Sequence, residues 1–344
     1  MLEIDGSEKS GSGTILRLAI AFASILRQDL HIYNIRKKRS NPGLRPQHLE
    51  AVLTAAKLTN AKVKGTHLNS QELWFEPKNL KGGTFEVEIG TAGSIPMLFM
   101  TVLPICLFSE TAVDLTVKKG GTDVKGSPTI NYMKNVFLKV LDKMGAKASI
   151  TVKKYGYYPV GKGEAILHTE PSPKLNPVLL EEQGKVDLIK GISVSTFLKD
   201  RKVSERQATA AERSLYRRGY KSDIEVVYDE SNPFQKGSSM CIWTETDKGT
   251  IMGGDAIGEI GKQSETVGSE AADNLLAELD GKVTMDMHMA DMIIPYVSLI
   301  PQSSHFVTRR ISDHLQTNIW VTEKILGTTF NIVQKGSGYM IQKK

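Results

Sequence analysis

The 344-residue chain is 40% hydrophobic and 24% charged, the proportions of a globular protein long enough for two or three domain-sized units. Its net charge of +6 leans toward an anionic partner without defining one. Cys106 and Cys241 are the only cysteines and form no CxxC pair, which excludes zinc-finger and thiol-redox chemistry and makes a reducing cytoplasm the expected setting.

The opening stretch MLEIDGSEKSGSG is acidic and polar, with no basic n-region or apolar h-region, so no secretory leader is expected. Next comes an apolar helix and strand in GTILRLAIAFASILRQDLHIYNIR. The stretch HLEAVLTAAKLTNAKVKGTHLNSQELWFEP then reads as a helix, a break at Asn60, a strand, a turn and a second strand. The same order recurs from GTAGSIPMLFMTVLPICLFSETAVDLTVKK into NYMKNVFLKVLDKMGAKASITVKKYGYYPVGKGEAILHTE. Within it, IPMLFMTVLPICLF contains Pro104 and is too short to span a bilayer, so it is predicted as a buried helix. A third copy runs from HMADMIIPYVSLIPQSSHFVTRR into HLQTNIWVTEKILGTTFNIVQKGSGYMIQKK.

The chain is therefore predicted to be α+β, with three copies of a helix–strand–loop–helix–strand–strand unit over residues 1–83, 84–185 and 277–344. Between copies two and three, residues 186–276 break the pattern and are predicted as a smaller inserted α/β domain, peripheral to the chemistry. In each copy the loop before the second helix is basic: RKKRSNPGLRPQ, KKGGTDVKGSP and RRISD. One such loop is ordinarily a solvated surface. Three at corresponding points predict that Arg36, Arg39, Arg45, Lys118, Lys119, Arg309 and Arg310 face one anionic ligand, beside helix N-termini suited to phosphate.

For covalent chemistry on such a ligand, KxDG, HExxH and GxSxG are all missing, and GEIGKQSE lacks the first glycine and the Ser or Thr of a P-loop. Histidine is a competent nucleophile at neutral pH. His31, His67 and His168 read as ordinary strand or turn residues, whereas His48, His288 and His314 fall at or near predicted helix starts. Asp291 and Asp313 are nearby carboxylates; a three-histidine metal site is a rival that no spacing favours.

Taken in order, DGSEKSGSGTILR, IRKKRSNPGLRPQHL, GTAGS, GGTDVKGSP, YGYYPVGKGE, HMADMIIPY and SDHLQTNI resemble the RNA 3'-terminal phosphate cyclase family along essentially the whole chain. The resemblance implies three repeats of the fold of a bacterial translation initiation factor's C-terminal domain, plus the insert. It implies an ATP-dependent ligase that carries AMP on a histidine, passes it to an RNA 3'-phosphate and leaves a 2',3'-cyclic phosphate when the neighbouring 2'-OH displaces AMP. By position, His314 matches the nucleophile. Met100, Pro128, His288, Met289, Ala290, Asp291 and Met292 match ATP-contacting positions. Arg17, Arg36, Arg39, Gln47 and His48 match positions that contact the RNA end and its phosphate.

A divalent cation, Mg²⁺ or Mn²⁺, is implied, with Glu8 and Asp291 as its candidate ligands. The chain departs from the family pattern at Ser10, where a metal-binding Glu is usual, and at Met100 and Met292, where glutamines are common. Tyr155 and Lys162 are further departures. Two other readings are a non-catalytic ribosome-assembly RNA-binding paralogue, which would lack the nucleophilic histidine, and an enolpyruvyl transferase, which would need six copies of the unit.

Overall fold

The computed structural model describes residues 1–344. Its first sheet is built from β1 (Leu2–Asp5), β2 (Leu30–Tyr33), β3 (Lys62–Lys64) and β4 (Leu73–Glu76) in the order β1-β2-β4-β3, with α1 (Gly13–Leu26) and α2 (Pro46–Thr59) between strands. β1 runs parallel to β2; the other pairs are antiparallel. The second sheet repeats this arrangement as β5-β6-β8-β7, from β5 (Gly83–Glu88), β6 (Val113–Gly120), β7 (Ala148–Lys154) and β8 (Gly163–Thr169). Its helices are α3 (Ile95–Leu107) and a segment that starts as α4 (Ile130–Tyr132), passes through a π-helical turn at Met133–Phe137 and ends as α5 (Leu138–Lys143).

A separate sheet, β10-β9-β11-β12, follows, formed by β9 (Val186–Thr196), β10 (Ser222–Asp229), β11 (Gly237–Thr246) and β12 (Ile251–Ile257), with α6 (Val203–Arg217) and α7 (Ser264–Asp280). The last sheet has three strands in the order β13-β15-β14, from β13 (Ser304–Thr308), β14 (Phe330–Lys335) and β15 (Gly338–Lys343), with α8 (Met287–Ser298) and α9 (Asp313–Leu326).

The first and second sheets each begin with a strand, LEID and GTFEVE, that the sequence reading leaves out. Both alternate apolar with polar residues, Leu2 and Ile4 with Glu3 and Asp5, and Phe85, Val87 and Ile89 with Glu86 and Glu88, but each run is short and buries only one side chain of its strand completely, Ile4 or Val87. α7 runs to Asp280, past the predicted limit of the insert at residue 276, because its apolar stripe continues through Leu275, Leu276 and Leu279. The helix stops read from sequence are realised at Asn60 and Gly327, both left-handed caps, with φ of 48° and 69°.

α3 is buried nearly all round, as its composition predicts. Only Met97 and Met100 escape full burial on it. α1 packs against α3 and α9, and α8 against α3 and α9, so helices from all three units share one core of 64 buried residues. A second core gathers residues of the segment 186–276 and extends through Leu279, Val283 and Val307 into the last sheet.

A buried carboxylate joins these parts. Asp286 caps α8 by accepting from the Met289 N–H at 3.0 Å, and also accepts from the Tyr132 hydroxyl at 2.6 Å and the Gly253 N–H at 3.0 Å. Burial pushes its pKa up, and the three donors oppose that shift. In Asp286→Ala all three buried donors lose their acceptor, and unmet buried donors cost about 1–3 kcal/mol each. The variant is expected to lose about 3 kcal/mol or more of unfolding free energy, read as a lower midpoint in urea titration.

Candidate active site

α1, α3, α8 and α9 form part of the wall of a cavity of about 500 Å³, within the range of small-ligand sites. His314 lies in this wall, in the first turn of α9. Ser312 caps that helix, accepting from the Leu315 N–H at 2.8 Å while donating to Asp291 Oδ1 at 2.6 Å. Asn318, one turn further along, donates to the Asp291 carbonyl. Asp291 on α8 thus holds α9 at two points that bracket His314.

The imidazole Nδ1 of His314 is 3.3 Å from Thr14 Oγ1, and Arg17 Nη2 donates to the same oxygen at 3.1 Å. Desolvation lowers the His314 pKa, as do Arg17, Arg39 and His288, against an opposing contribution from Asp313. The neutral ring is favoured over the imidazolium by these surroundings. Desolvation also lowers Arg17 to about 10, which leaves it cationic. Asp291 is pushed up by burial to about 6.

The residues assigned to ATP divide according to the helical period. His288, Asp291 and Met292 line the cavity, with Met100 from α3 and Pro128 from the GSP turn. Met289 and Ala290, on the opposite side of α8, belong to the core. Of the run His288 to Met292, the side chains at 288, 291 and 292 are thus the ones in the cavity wall.

The residues assigned to RNA are placed less uniformly. Arg17 lines the cavity, and exposed Arg39 is close enough to influence His314. Arg36 donates to the carbonyls of Asn41 at 2.6 Å and Gly43 at 2.8 Å, bracing its own loop. Gln47 accepts from the Ser94 N–H at 3.0 Å and joins the start of α2 to the cap of α3. His48 is buried and accepts from the Arg45 N–H at 3.3 Å through Nδ1, which caps its own helix. Its ring occupies the space beside Gly13, where a Cβ would fall 2.2 Å from Nε2, so that glycine is required.

The picture of seven cations facing one ligand is also corrected. Lys118 and Lys119 lie in strand β6, paired with Glu86 and Glu88 of the neighbouring strand. Arg309 pairs with Glu278. Arg45 donates to Asn69, and Arg310 to the sulfur of Met287. Cross-strand pairing accounts for the lysines, and packing against α7 accounts for Arg309.

The segment 186–276 is not peripheral. Seven of its residues line the cavity, among them Asp255, Ile257, Lys262 and Asn274. Asp255 Oδ2 accepts from the Thr129 N–H at 2.7 Å and so fastens this wall to the GSP turn. Thr14, Asp255 and Tyr296 are wall residues that the sequence reading does not identify. Thr14 sits directly after SGSG, a usable signal; Asp255 has none, since only the tertiary fold brings β12 here.

No group of three or more His, Cys, Asp and Glu side chains is arranged to hold a metal ion. Glu8 is exposed and outside the cavity wall, so its pairing with Asp291 as a ligand set is not realised. Asp291 is in the wall and remains the one candidate carboxylate of that pair. No helix is long and apolar enough to cross a membrane.

The cavity combines methionine and aromatic surfaces with Arg17, Lys125, Lys262, two histidines and four carboxylates, the mixed apolar and charged lining of a small-ligand site. The family model of RNA 3'-terminal phosphate cyclase matches residues 8–332, and the chain belongs to that family. It is 45% identical over 343 residues to the RNA 3'-terminal phosphate cyclase of Pyrobaculum aerophilum, covering 99% of this chain and 97% of the relative. It is 41% identical to that of Korarchaeum cryptofilum, covering 98% and 95%, and 39% identical to that of Pyrococcus furiosus, covering 100% and 99%. A solved EPSP synthase from Acinetobacter baumannii aligns over 65% of this chain and 56% of its own at 12% identity, with a TM-score of 0.24, too low to bear on the fold.

The burial of His48 has a measurable consequence. Desolvation, Arg17, Arg36 and Arg45 lower its pKa from 6.5 to about 3. Between those values the unfolded chain binds a proton that the folded chain does not, so stability falls as pH drops through the window from 6.5 to about 3. His48→Gln removes this titration. Its unfolding free energy, measured by urea titration across that window, is expected to depend less steeply on pH than that of the wild type.

Proposed function

We propose that this protein converts an RNA 3'-terminal phosphate to a 2',3'-cyclic phosphate, using ATP and a covalent histidine–AMP intermediate. The observation that carries this reading is His314 in the wall of a nucleotide-sized cavity, beside Arg17 and the apolar surfaces of Met100, Met292 and Pro128. Membership of the cyclase family and the names of the relatives supply the substrate class. On this reading the three β-α-β-α sheet units are repeats of one ancestral fold, and residues 186–276 are an inserted domain that contributes one wall of the site.

In the first step a ring nitrogen of His314 attacks the α-phosphorus of ATP. A nitrogen–phosphorus bond forms as the bond to the pyrophosphate oxygen breaks. Arg17 neutralises charge on the phosphates, and methionine and proline surfaces hold the base. In the second step AMP passes to the RNA 3'-phosphate, and the vicinal 2'-OH then displaces it. Arg39, at the rim, contacts the RNA phosphates. A divalent cation carried on the polyphosphate would have Asp291 as its protein carboxylate and would supply charge neutralisation.

Incubation with ATP labelled at the α-phosphate is expected to label the wild-type protein through a bond that is acid-labile and alkali-stable. His314→Ala should take up no label; retention at the wild-type level would remove His314 from the mechanism. Arg39→Ala is expected to form protein–AMP yet bind 3'-phosphate RNA about tenfold more weakly, with a shallower dependence on salt. Fluorescence anisotropy titrations at several salt concentrations measure this, and an unchanged salt slope would exclude a phosphate contact by Arg39.

A further inference from the structure

We propose that Thr14 is a positioning residue that sets the tautomer of His314. It would hold the ring proton on Nδ1 and leave the Nε2 lone pair for the attack. The inference rests on the reading of His314 as the nucleophile.

Thr14 is the second residue of α1, and Ser12 caps that helix by accepting from the Thr14 N–H at 3.3 Å. Only 6% of Thr14 is exposed, yet it reaches the cavity wall, 300 residues from His314 in sequence. Its hydroxyl oxygen lies between two nitrogens, Arg17 Nη2 at 3.1 Å and His314 Nδ1 at 3.3 Å. Guanidinium only donates, so Arg17 occupies one lone pair of the oxygen and fixes its direction. The hydroxyl can meet Nδ1 as donor or as acceptor; in this assignment its own proton turns into the cavity that Thr14 lines, and the second lone pair accepts an Nδ1–H.

Which nitrogen carries the proton decides whether His314 can react. A free neutral histidine side chain favours the proton on Nε2, and a nitrogen that carries a proton has no lone pair in the ring plane to offer phosphorus. A hydrogen bond at the other nitrogen selects the reverse tautomer. In serine hydrolases a carboxylate on histidine does this, and a wrong tautomer there costs a large factor in rate. Here the only hydrogen-bond partner of the His314 ring in the protein is the Thr14 hydroxyl.

The step balances with this assignment. Nε2 forms the bond to the α-phosphorus, and pyrophosphate leaves with the electron pair of the broken phosphorus–oxygen bond. The ring becomes an N-phosphorylated imidazolium whose Nδ1–H is donated to Thr14 Oγ1 until that proton is released to solvent. The same hydroxyl thus orients the neutral ring and stabilises the positive charge that develops on it.

Nitrogen-15 NMR of the histidine rings, with His314 assigned by its loss in His314→Asn, reads the tautomer without any turnover. The wild type is expected to carry its proton on Nδ1, Thr14→Val to shift it toward Nε2, and Thr14→Ser to keep the wild-type form. In single-turnover labelling, Thr14→Val should lose about tenfold or more in rate at saturating ATP with an unchanged KM, and Thr14→Ser should restore it. A wild-type ring protonated on Nε2, or a Thr14→Val spectrum identical to the wild type, overturns the proposal. If the wild-type protein never acquires AMP, the reading of His314 as nucleophile fails, and the spectra still decide what Thr14 does to the ring.

Discussion

The carboxylate of Asp286 is where the molecule is held together. It accepts from the first turn of α8, from Tyr132 in the second unit and from Gly253 in β12. Those three donors lie behind the cavity, on the segments that carry its wall residues Phe137, Asp255 and His288, so a single buried anion ties these segments together. A buried carboxylate is costly unless several donors meet it, and each donor here is itself buried and has a stake in the bond. The arrangement explains why α8 can present His288, Asp291 and Met292 to the cavity while Met289 stays in the core. It also makes the segment 186–276 part of the site rather than an appendage.

Around that frame the chemistry is tuned by desolvation more than by added charge. Many of the basic side chains that the loops offer are committed to strand partners, to loop carbonyls or to α7, and Lys125 and Lys262 of the cavity wall pair with Glu259 and Glu270. Arg17 stands out because it lines the cavity and bonds only to a hydroxyl, keeping its full charge available to a ligand. Burial first, and Arg17 after it, disfavour the charged form of both His314 and His48. His48 is enclosed and braces a helix start; His314 is open to the cavity and free to react. Two histidines at helix starts thus differ mainly in their burial.

The local record of the fold was legible in the residues. Apolar spacing located the helices, Asn60 and Gly327 marked their ends, and the continuous apolar run of α3 foretold a buried helix. The histidine at the start of α9 and the methionines of the cavity could be picked out by position in the motifs. These features depend on neighbours in sequence, for which helical period, caps and turn residues are direct physical signals. The edge strands β1 and β5 escaped although LEID and TFEVEI alternate, because runs of four to six residues are short for a periodic signal.

Tertiary structure decided the rest, because it depends on distances that sequence spacing does not encode. Lys118 and Lys119 looked like ligand contacts until pairing with β5 placed Glu86 and Glu88 beside them. Glu8 and Asp291 were candidates for one metal set, yet only Asp291 reaches the cavity wall. Asp255 gave no sign of its place, since a strand residue becomes part of a site only when another unit is packed against it. By itself the sequence determined the elements, their ends and the residue types suited to phosphate chemistry. Only the packing of units far apart in the chain decided which of those side chains share a cavity, because the surroundings of His314, Thr14, Arg17 and Arg39 among them, come from residues hundreds of positions away.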